Sequence, residues 1–388
     1  MRRSPLPVRL WVASGVVAHT LWTSAAPAMT YPLYAREWGL STIETTLVFA
    51  VYPAVVVLVM LLAGDLADHV GRRRAMLWGL AASAAGVAVF AVAGNLAALI
   101  AGRVLMGVGV GLSAGPSAAA VAESAPDRRT GAAITVAAQA AGLVAALTID
   151  GAMIEHAPFP LHLPFAVLLV FILALMGLTA GLEHAAARPG RWRPHLPDLA
   201  GIGGPDLAVA TIALVTAYAH GVMVAALGAQ IAGTLVGSSS PTVNGLALAL
   251  FPLAFGLVGL RFKVKDPRAA ICVGALSTAA AMAFLAASIL ARDLVFFLAA
   301  TFLSGVGYAL LVAGGFQIID AGSTAANRAG RISFALLFAY LVSGALALAL
   351  GWLATRTGLS FSVFIGAGLM ATLAATSIAG ALRRRRLA

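Results

Sequence analysis

Twelve runs of predominantly apolar residues, each close to the roughly 20 that a membrane-spanning helix needs, divide this chain of 388 residues. A helix crosses about 30 Å of hydrocarbon at about 1.5 Å per residue, so the run length matches the bilayer. The runs lie at 10–34, 43–63, 75–95, 97–122, 130–153, 163–183, 206–231, 242–260, 269–290, 293–318, 329–354 and 358–382, numbered here as spans 1 to 12. None shows sustained two-residue alternation, which argues against a β-barrel. Charged residues are 10% of the chain, against about a quarter in a soluble domain. So few charges cannot cover a water-exposed surface, which excludes a soluble enzyme and a disordered chain. The expectation is an all-α integral membrane protein with 12 transmembrane helices.

The charges that remain are one-sided: 25 Lys and Arg against 14 Asp and Glu, a net +11. A nucleic-acid partner would need those cations clustered on one polar face, whereas here they punctuate apolar runs. Lys and Arg resist translocation, so their placement sets orientation. With a cytoplasmic N-terminus the inner segments hold Arg2, Arg3, Arg9, Arg72, Arg73, Arg74, Arg128, Arg129, Arg188, Arg191, Arg193, Arg261, Lys263, Lys265, Arg268, Arg328, Arg331 and Arg383 to Arg386, which is 21 of 25. Arg36, Arg292 and Arg356 fall outside, and Arg103 falls within span 4. One span too many or too few would invert every later loop, so the bias supports both the count and cytoplasmic termini, in an inner (plasma) membrane. Met1-Arg-Arg followed by Ser24-Ala-Ala-Pro-Ala28 has the outline of a cleaved signal peptide, but cleavage would leave eleven spans and break the repeat described next.

The chain repeats itself at about half its length. Tyr52-Pro53 aligns with Phe251-Pro252 at an offset of 199, Gly107-Val-Gly109 with Gly305-Val-Gly307 at 198, Arg129-Thr-Gly131 with Arg328-Ala-Gly330 at 199, and Ala18-His19 with Ala219-His220 at 201. An offset of six spans preserves the in/out sense, so the halves are expected to be six-helix bundles related by a pseudo-two-fold axis along the membrane normal. The expected domains are 1–183, a cytoplasmic linker at 184–205 containing Pro189-Gly-Arg-Trp-Arg-Pro194, and 206–388.

The loop after span 2 reads Gly64-Asp-Leu66-Ala67-Asp68-His-Val-Gly71-Arg72-Arg73-Arg74. Gly64 permits close helix approach, Gly71 a tight turn, Asp68 a charge pair at the helix ends, and the arginines a hold on anionic headgroups. This loop resembles the major facilitator superfamily signature Gly-x-Leu-x-Asp-x-x-Gly-Arg-Lys/Arg at every defined position. Span 4 is similar to a second signature of that family, Arg-x-x-x-Gly-x-Gly, in Arg103-Val-Leu-Met-Gly107-Val-Gly109. In span 5, where drug/proton antiporters usually carry Gly-x-x-x-Gly-Pro-x-x-Gly-Gly, the chain has Ala138-Gln139-Ala-Ala-Gly142-Leu-Val. The second-half copy of the loop, Arg261-Phe-Lys-Val-Lys-Asp266-Pro-Arg268, keeps the basic charge but not the glycines. The resemblance implies a secondary transporter that moves a small molecule by alternating access, coupled to protons and working as an efflux antiporter. The alternative is an uptake or metabolite permease of the same fold, which the altered span 5 and the Arg103 cation favour. It also implies a latch of Asp68 with Glu123 and Arg331, alongside Gly64, Gly71, Arg72 and Asp320 at the inner helix ends.

Candidate site residues follow from the cost of polar groups in hydrocarbon. Arg103 reads as either snorkelling to the outer headgroups or binding anionic groups. His19 and His220, at related positions in spans 1 and 7, read as proton carriers or as histidines satisfied by interhelical hydrogen bonds. Gln139, Tyr218, Tyr308, Phe338 and Tyr340 lie near mid-depth and would either line a cavity or face lipid. No carboxylate is expected at mid-depth; Asp150 reads as standing at the outer boundary of span 5. The lone Cys272 forms no intrachain disulfide, no metal or cofactor motif is present, and neither a catalytic constellation nor a Gly-x-x-x-x-Gly-Lys-Ser/Thr loop occurs. The expected partners are a small-molecule substrate, protons and membrane lipids, with no nucleic acid and a monomeric chain.

Overall fold

The computed structural model describes residues 6–183, 192, 203–261, 264–324 and 327–385. Arg2, Arg3, Arg188, Arg191, Arg193, Lys263 and Arg386, and most of the expected linker, lie outside the described residues.

Every regular element among them is helical. In chain order these are α1 (Leu6–Ala25), a 3-10 turn (Ala26–Ala28), α2 (Tyr31–Trp38), α3 (Thr42–Ala63), α4 (Leu66–Val70), α5 (Arg72–Ala91), α6 (Leu96–Ser124), α7 (Arg128–His156) and α8 (Leu163–Ala180). The second half has α9 (Pro205–Gln230), a π-turn (Ile231–Val236), α10 (Pro241–Arg261), α11 (Pro267–Ala291), α12 (Leu294–Ala321), α13 (Arg328–Thr357) and α14 (Leu359–Arg385). Eleven helices, beginning with α3, are long and apolar enough to cross a membrane, and α1 has 20 residues.

The sequence pattern reads span 1 as one helix over 10–34, and here the structure differs. The chain leaves the α-helix at Ala25, passes the 3-10 turn around Pro27, and restarts at Tyr31. Proline has no N–H to give to the turn before it, so the ladder breaks there. Other helix ends follow from capping: Asn95 accepts from Ala98 N at 2.9 Å, Asp266 from Arg268 N at 2.9 Å, and Asp293 from Val295 N at 2.7 Å. Asp127 caps α7, accepting from Arg129 N and Thr130 N at 2.9 Å each and from the Thr130 hydroxyl at 2.7 Å. Three of these caps are aspartates, placed where helix N-termini expose unpaired donors.

By internal contact the chain forms two units, one of Met1–Tyr34 with Val51–Leu196, the other of Ala35–Ala50 with Pro197–Ala388. Within each, glycine sets the helix approach. In the first unit, α5 meets α6 where a Cβ on Gly79 would lie 2.6 Å from the Gly109 carbonyl oxygen and one on Gly86 2.7 Å from that of Gly102. In the second, α11 meets α12 where a Cβ on Gly274 would lie 3.0 Å from the Gly307 oxygen. A Cβ on Gly107 would press on the Tyr52 carbonyl, and one on Gly305 on the Phe251 carbonyl. These are the residue pairs that the offset of 198–199 aligns.

Gly142 on α7 has the backbone of Ala18 on α1 where its Cβ would be. Gly142→Val must therefore separate those helices, and the expected outcome is a loss of about 1–3 kcal/mol, read as a lower melting temperature of the purified protein. The Thr130 hydroxyl first, then the backbone amides of α7, hold the Asp127 carboxyl below the usual carboxylate range. A depressed carboxyl stabilises above its unfolded value and loses that contribution as pH falls through the folded one. Asp127→Asn should accordingly flatten the acid limb of the melting-temperature profile, while wild type loses stability on acidification.

Candidate functional site

The signature loop is built around its charges. α4 is a single helical turn carrying Asp68 in its first turn, and Gly71 follows at φ 87°, a conformation that a side chain disfavours. Gly64 leaves no room for a Cβ, which would sit 2.6 Å from the Met60 carbonyl oxygen. The first two of the arginines that follow do different things. Arg72 pairs with Glu123 at the end of α6. Arg73 donates from Nε to the Thr179 carbonyl at 3.2 Å and from Nη2 to that of Ala180, placing a cation on the C-terminal end of α8, where the helix dipole favours it. Asp65 accepts from the Trp192 indole N–H at 2.9 Å, so the connector is hydrogen-bonded to this loop.

Of the residues expected in the latch, Glu123 and Arg331 have partners within their own units. Glu123 is the partner of Arg72. Asp320 takes a two-pronged bond from Arg328, Nε to Oδ1 at 2.7 Å and Nη2 to Oδ2 at 3.2 Å. Arg331 is buried and donates to the Gly322 carbonyl.

Arg103 does not snorkel: its side chain is 0% exposed. Nη1 donates to the carbonyls of Ser24 at 3.1 Å and Thr23 at 3.4 Å, and the guanidinium lies 4.4 Å over the Tyr52 ring. Those carbonyls belong to the last turn of α1, which has no following turn to bond them. The break at Pro27 therefore creates acceptors, and the buried cation takes them, with the ring face adding attraction.

His19 and His220 are both 0% exposed but differ in chemistry. His19 holds the Val16 carbonyl with Nδ1 at 2.7 Å and the Ser83 hydroxyl with Nε2 at 3.1 Å. A carbonyl only accepts, so Nδ1 carries the proton and both ring nitrogens are satisfied. At His220, Nε2 lies 2.9 Å from the Ser304 hydroxyl, which itself donates to the Ala300 carbonyl at 2.7 Å. Here Nε2 is the donor, and Nδ1 is buried without a hydrogen bond. Ser304 also lines a small apolar cavity with Met223, Leu248, Met282, Phe297 and Thr301.

Three of the four predicted aromatics converge in the second unit. The Tyr218 ring lies 4.8 Å from Tyr340, edge-on, and 6.0 Å from Tyr308, and its hydroxyl hydrogen-bonds with both. Phe251 and Phe255 close on Tyr308 at 5.5 and 5.7 Å, residues that the polar-at-mid-depth criterion did not select. Gly221 makes room, since a Cβ there would already touch the Tyr308 ring at 3.4 Å. Phe338 stands apart, 43% exposed and against Phe334 at 4.8 Å. Gln139 is half-buried on α7.

To the sequence reading of Asp150 the structure adds its surroundings: α7 runs six residues further, to His156, and the carboxyl is 0% exposed with neither oxygen hydrogen-bonded. Counting residues along a span gives depth, not what packs around a side chain.

Residues 11–197 match the family model of the Major Facilitator Superfamily. Over 196 residues the chain is 29% identical to the multidrug efflux pump LfrA of Mycolicibacterium smegmatis, a match covering 48% of this chain and 39% of the pump. The fold is similar to the crystal structures of the nucleoside transporter NupG, with TM-score 0.77, 13% identity and 97% and 100% of the two chains covered. It is also similar to a peptide transporter, POT, in complex with alafosfalin, with TM-score 0.79, 16% identity and 99% and 96% covered. The family match thus lies in the first half of this multi-pass membrane protein, and over nearly the whole length it shares the fold of those transporters.

Arg103→Ala strips the last turn of α1 of its donor. The expected outcome is a loss of about 3 kcal/mol, measured as a fall in melting temperature. An unchanged melting temperature would mean that the cation does not hold the helix end.

Proposed function

We propose that this protein is a secondary transporter that exports a small aromatic molecule across the plasma membrane by alternating access, in exchange for protons. The observation that carries the reading is the tyrosine cluster of the second unit. Tyr218, Tyr308 and Tyr340 are only partly buried, so their rings and hydroxyls together offer a wall that stacks on a flat ligand and hydrogen-bonds to its polar edge. Phe251 and Phe255 back that wall with surface that asks for no partner.

Export is favoured by the sequence similarity to an efflux pump over 196 residues. The distribution of arginines supports cytoplasmic termini, and hence an inner-face opening onto the substrate's side. With no nucleotide-binding loop in the sequence, the driving force is an ion gradient, and the proton is the proposed ion. The chain is proposed to act as a monomer surrounded by lipid.

The test is dye movement in proteoliposomes under an imposed proton gradient, with ethidium as a cationic aromatic probe and Nile red as an uncharged one. Gradient-dependent movement of either dye is expected from wild type. Tyr218→Phe, which keeps the ring and removes the hydroxyl, should weaken dye binding roughly fivefold, the worth of one hydrogen bond. Dye movement that ignores the gradient would defeat the coupling, and unaltered binding in Tyr218→Phe would remove the cluster from the site.

A further inference from the structure

The only fully buried carboxyl group among the described residues is that of Asp150, and none of those residues answers it. Both oxygens lack hydrogen-bond partners. An ionised carboxylate in that state would have lost its hydration with no cation or donor in exchange, which hydrocarbon surroundings make very costly.

Its place in the fold gives the group a setting. α7 runs beside α1 in the same sense, with Gly142 on Ala18, and Ile134 and Leu10 in one apolar cluster, both at a separation of 124 residues in sequence. Continued along the pair, that register brings Asp150 level with Ala26, the first residue of the 3-10 turn, and α7 packs on this turn as well as on α1, α6 and α8. A broken helix beside a buried acid is the arrangement in which membrane transporters hold a small cation.

We infer that Asp150 is a proton-binding site, loaded as a neutral carboxylic acid in this conformation and emptied as a carboxylate in another. The step is one proton added to one carboxylate oxygen, with no other bond made or broken. This deepens the proposed proton exchange and rests on it for its role, though not for its chemistry.

A metal cation fits the place less well. It would need several oxygens around it, and the carbonyls freed at the break, those of Thr23 and Ser24, are already taken by Arg103, whose fixed charge repels a second cation. A proton needs only one oxygen. The titratable and charged groups on the elements packed against α7 are Arg9 and His19 on α1 and Arg103 and Glu123 on α6. α8 and the 3-10 turn carry none. His19 is committed to Val16 and Ser83, and Glu123 to Arg72. On α7 itself Glu155 and His156 stand a turn further on, and Arg129 at the opposite end.

The test is infrared spectroscopy of the full-length protein in lipid, comparing wild type, Asp150→Asn and Asp150→Glu between about pH 5 and about pH 9. The expected result is a protonated-carboxyl carbonyl band worth one group per chain in wild type at low pH. It should shift in deuterated buffer, fade as pH rises, be absent from Asp150→Asn and be displaced in frequency in Asp150→Glu. The glutamate variant keeps the test decisive should the asparagine variant fail to fold. Three outcomes overturn the inference: no band that depends on residue 150, a band unchanged across the whole pH range, or a band abolished by sodium chloride at constant pH. Because the band is read without any dye, its absence is distinct from a failure of dye movement, which would count against the transport reading alone.

Discussion

Inside hydrocarbon a polar group has no water to fall back on, and two apolar helices gain nothing from water by meeting. Helices must be held by close backbone contact, and each buried polar atom must be answered from within the protein. The packing follows from both demands. Gly79, Gly86, Gly102 and Gly109 bring α5 and α6 together until the carbonyls of one lie where the Cβ atoms of the other would be, and Gly274 and Gly307 do the same for α11 and α12. Ser83 of α5, which stands against Gly109, is also the hydroxyl that satisfies His19 of α1. Helix approach and hydrogen bonding are therefore one arrangement rather than two.

The same rule explains the fate of each ionisable group. Arg103 is tolerable without a surface because a helix break supplies carbonyls and Tyr52 supplies a ring face. Arg73 is placed at the end of α8 for the same reason, while Arg72 and Arg328 take carboxylates at helix ends. His19 and His220 occupy related positions in the repeat but differ in proton placement, because Ser304 gives its hydrogen to Ala300 and leaves His220 Nδ1 unanswered. Among the buried polar atoms that the rule leaves unanswered, those of Asp150 and His220 can take up a proton, and there chemistry has room to operate.

The repeat was legible because it is carried by residues whose role is steric. Tyr52 and Gly107, and Phe251 and Gly305, are contacts at the same sequence offset because close approach admits only glycine at the crossing, whatever surrounds it. The aromatic cluster was legible in part: tyrosines in a span are rare enough to notice, but Phe251 and Phe255 look like any apolar residue until Tyr308 lies against them. The burial of Asp150 was not legible, because hydropathy along the chain marks where a helix becomes polar, not which side chains its neighbours cover.

By itself the sequence determined what depends on local composition and spacing: the apolar runs long enough for a membrane, the glycines that recur at the half-length offset, and the loop with the family that it resembles. Hydrophobic length and fixed glycine spacing act along the chain, so they can be read along it. Only the tertiary structure decided which ionisable groups are answered: that Arg103 caps α1, that Glu123 belongs to Arg72, that His19 is satisfied at both nitrogens and that Asp150 has no hydrogen-bond partner among the described residues. A partner is a matter of distance in space, and residues 80 or more positions apart, such as Arg103 and Thr23, meet only when helices have packed.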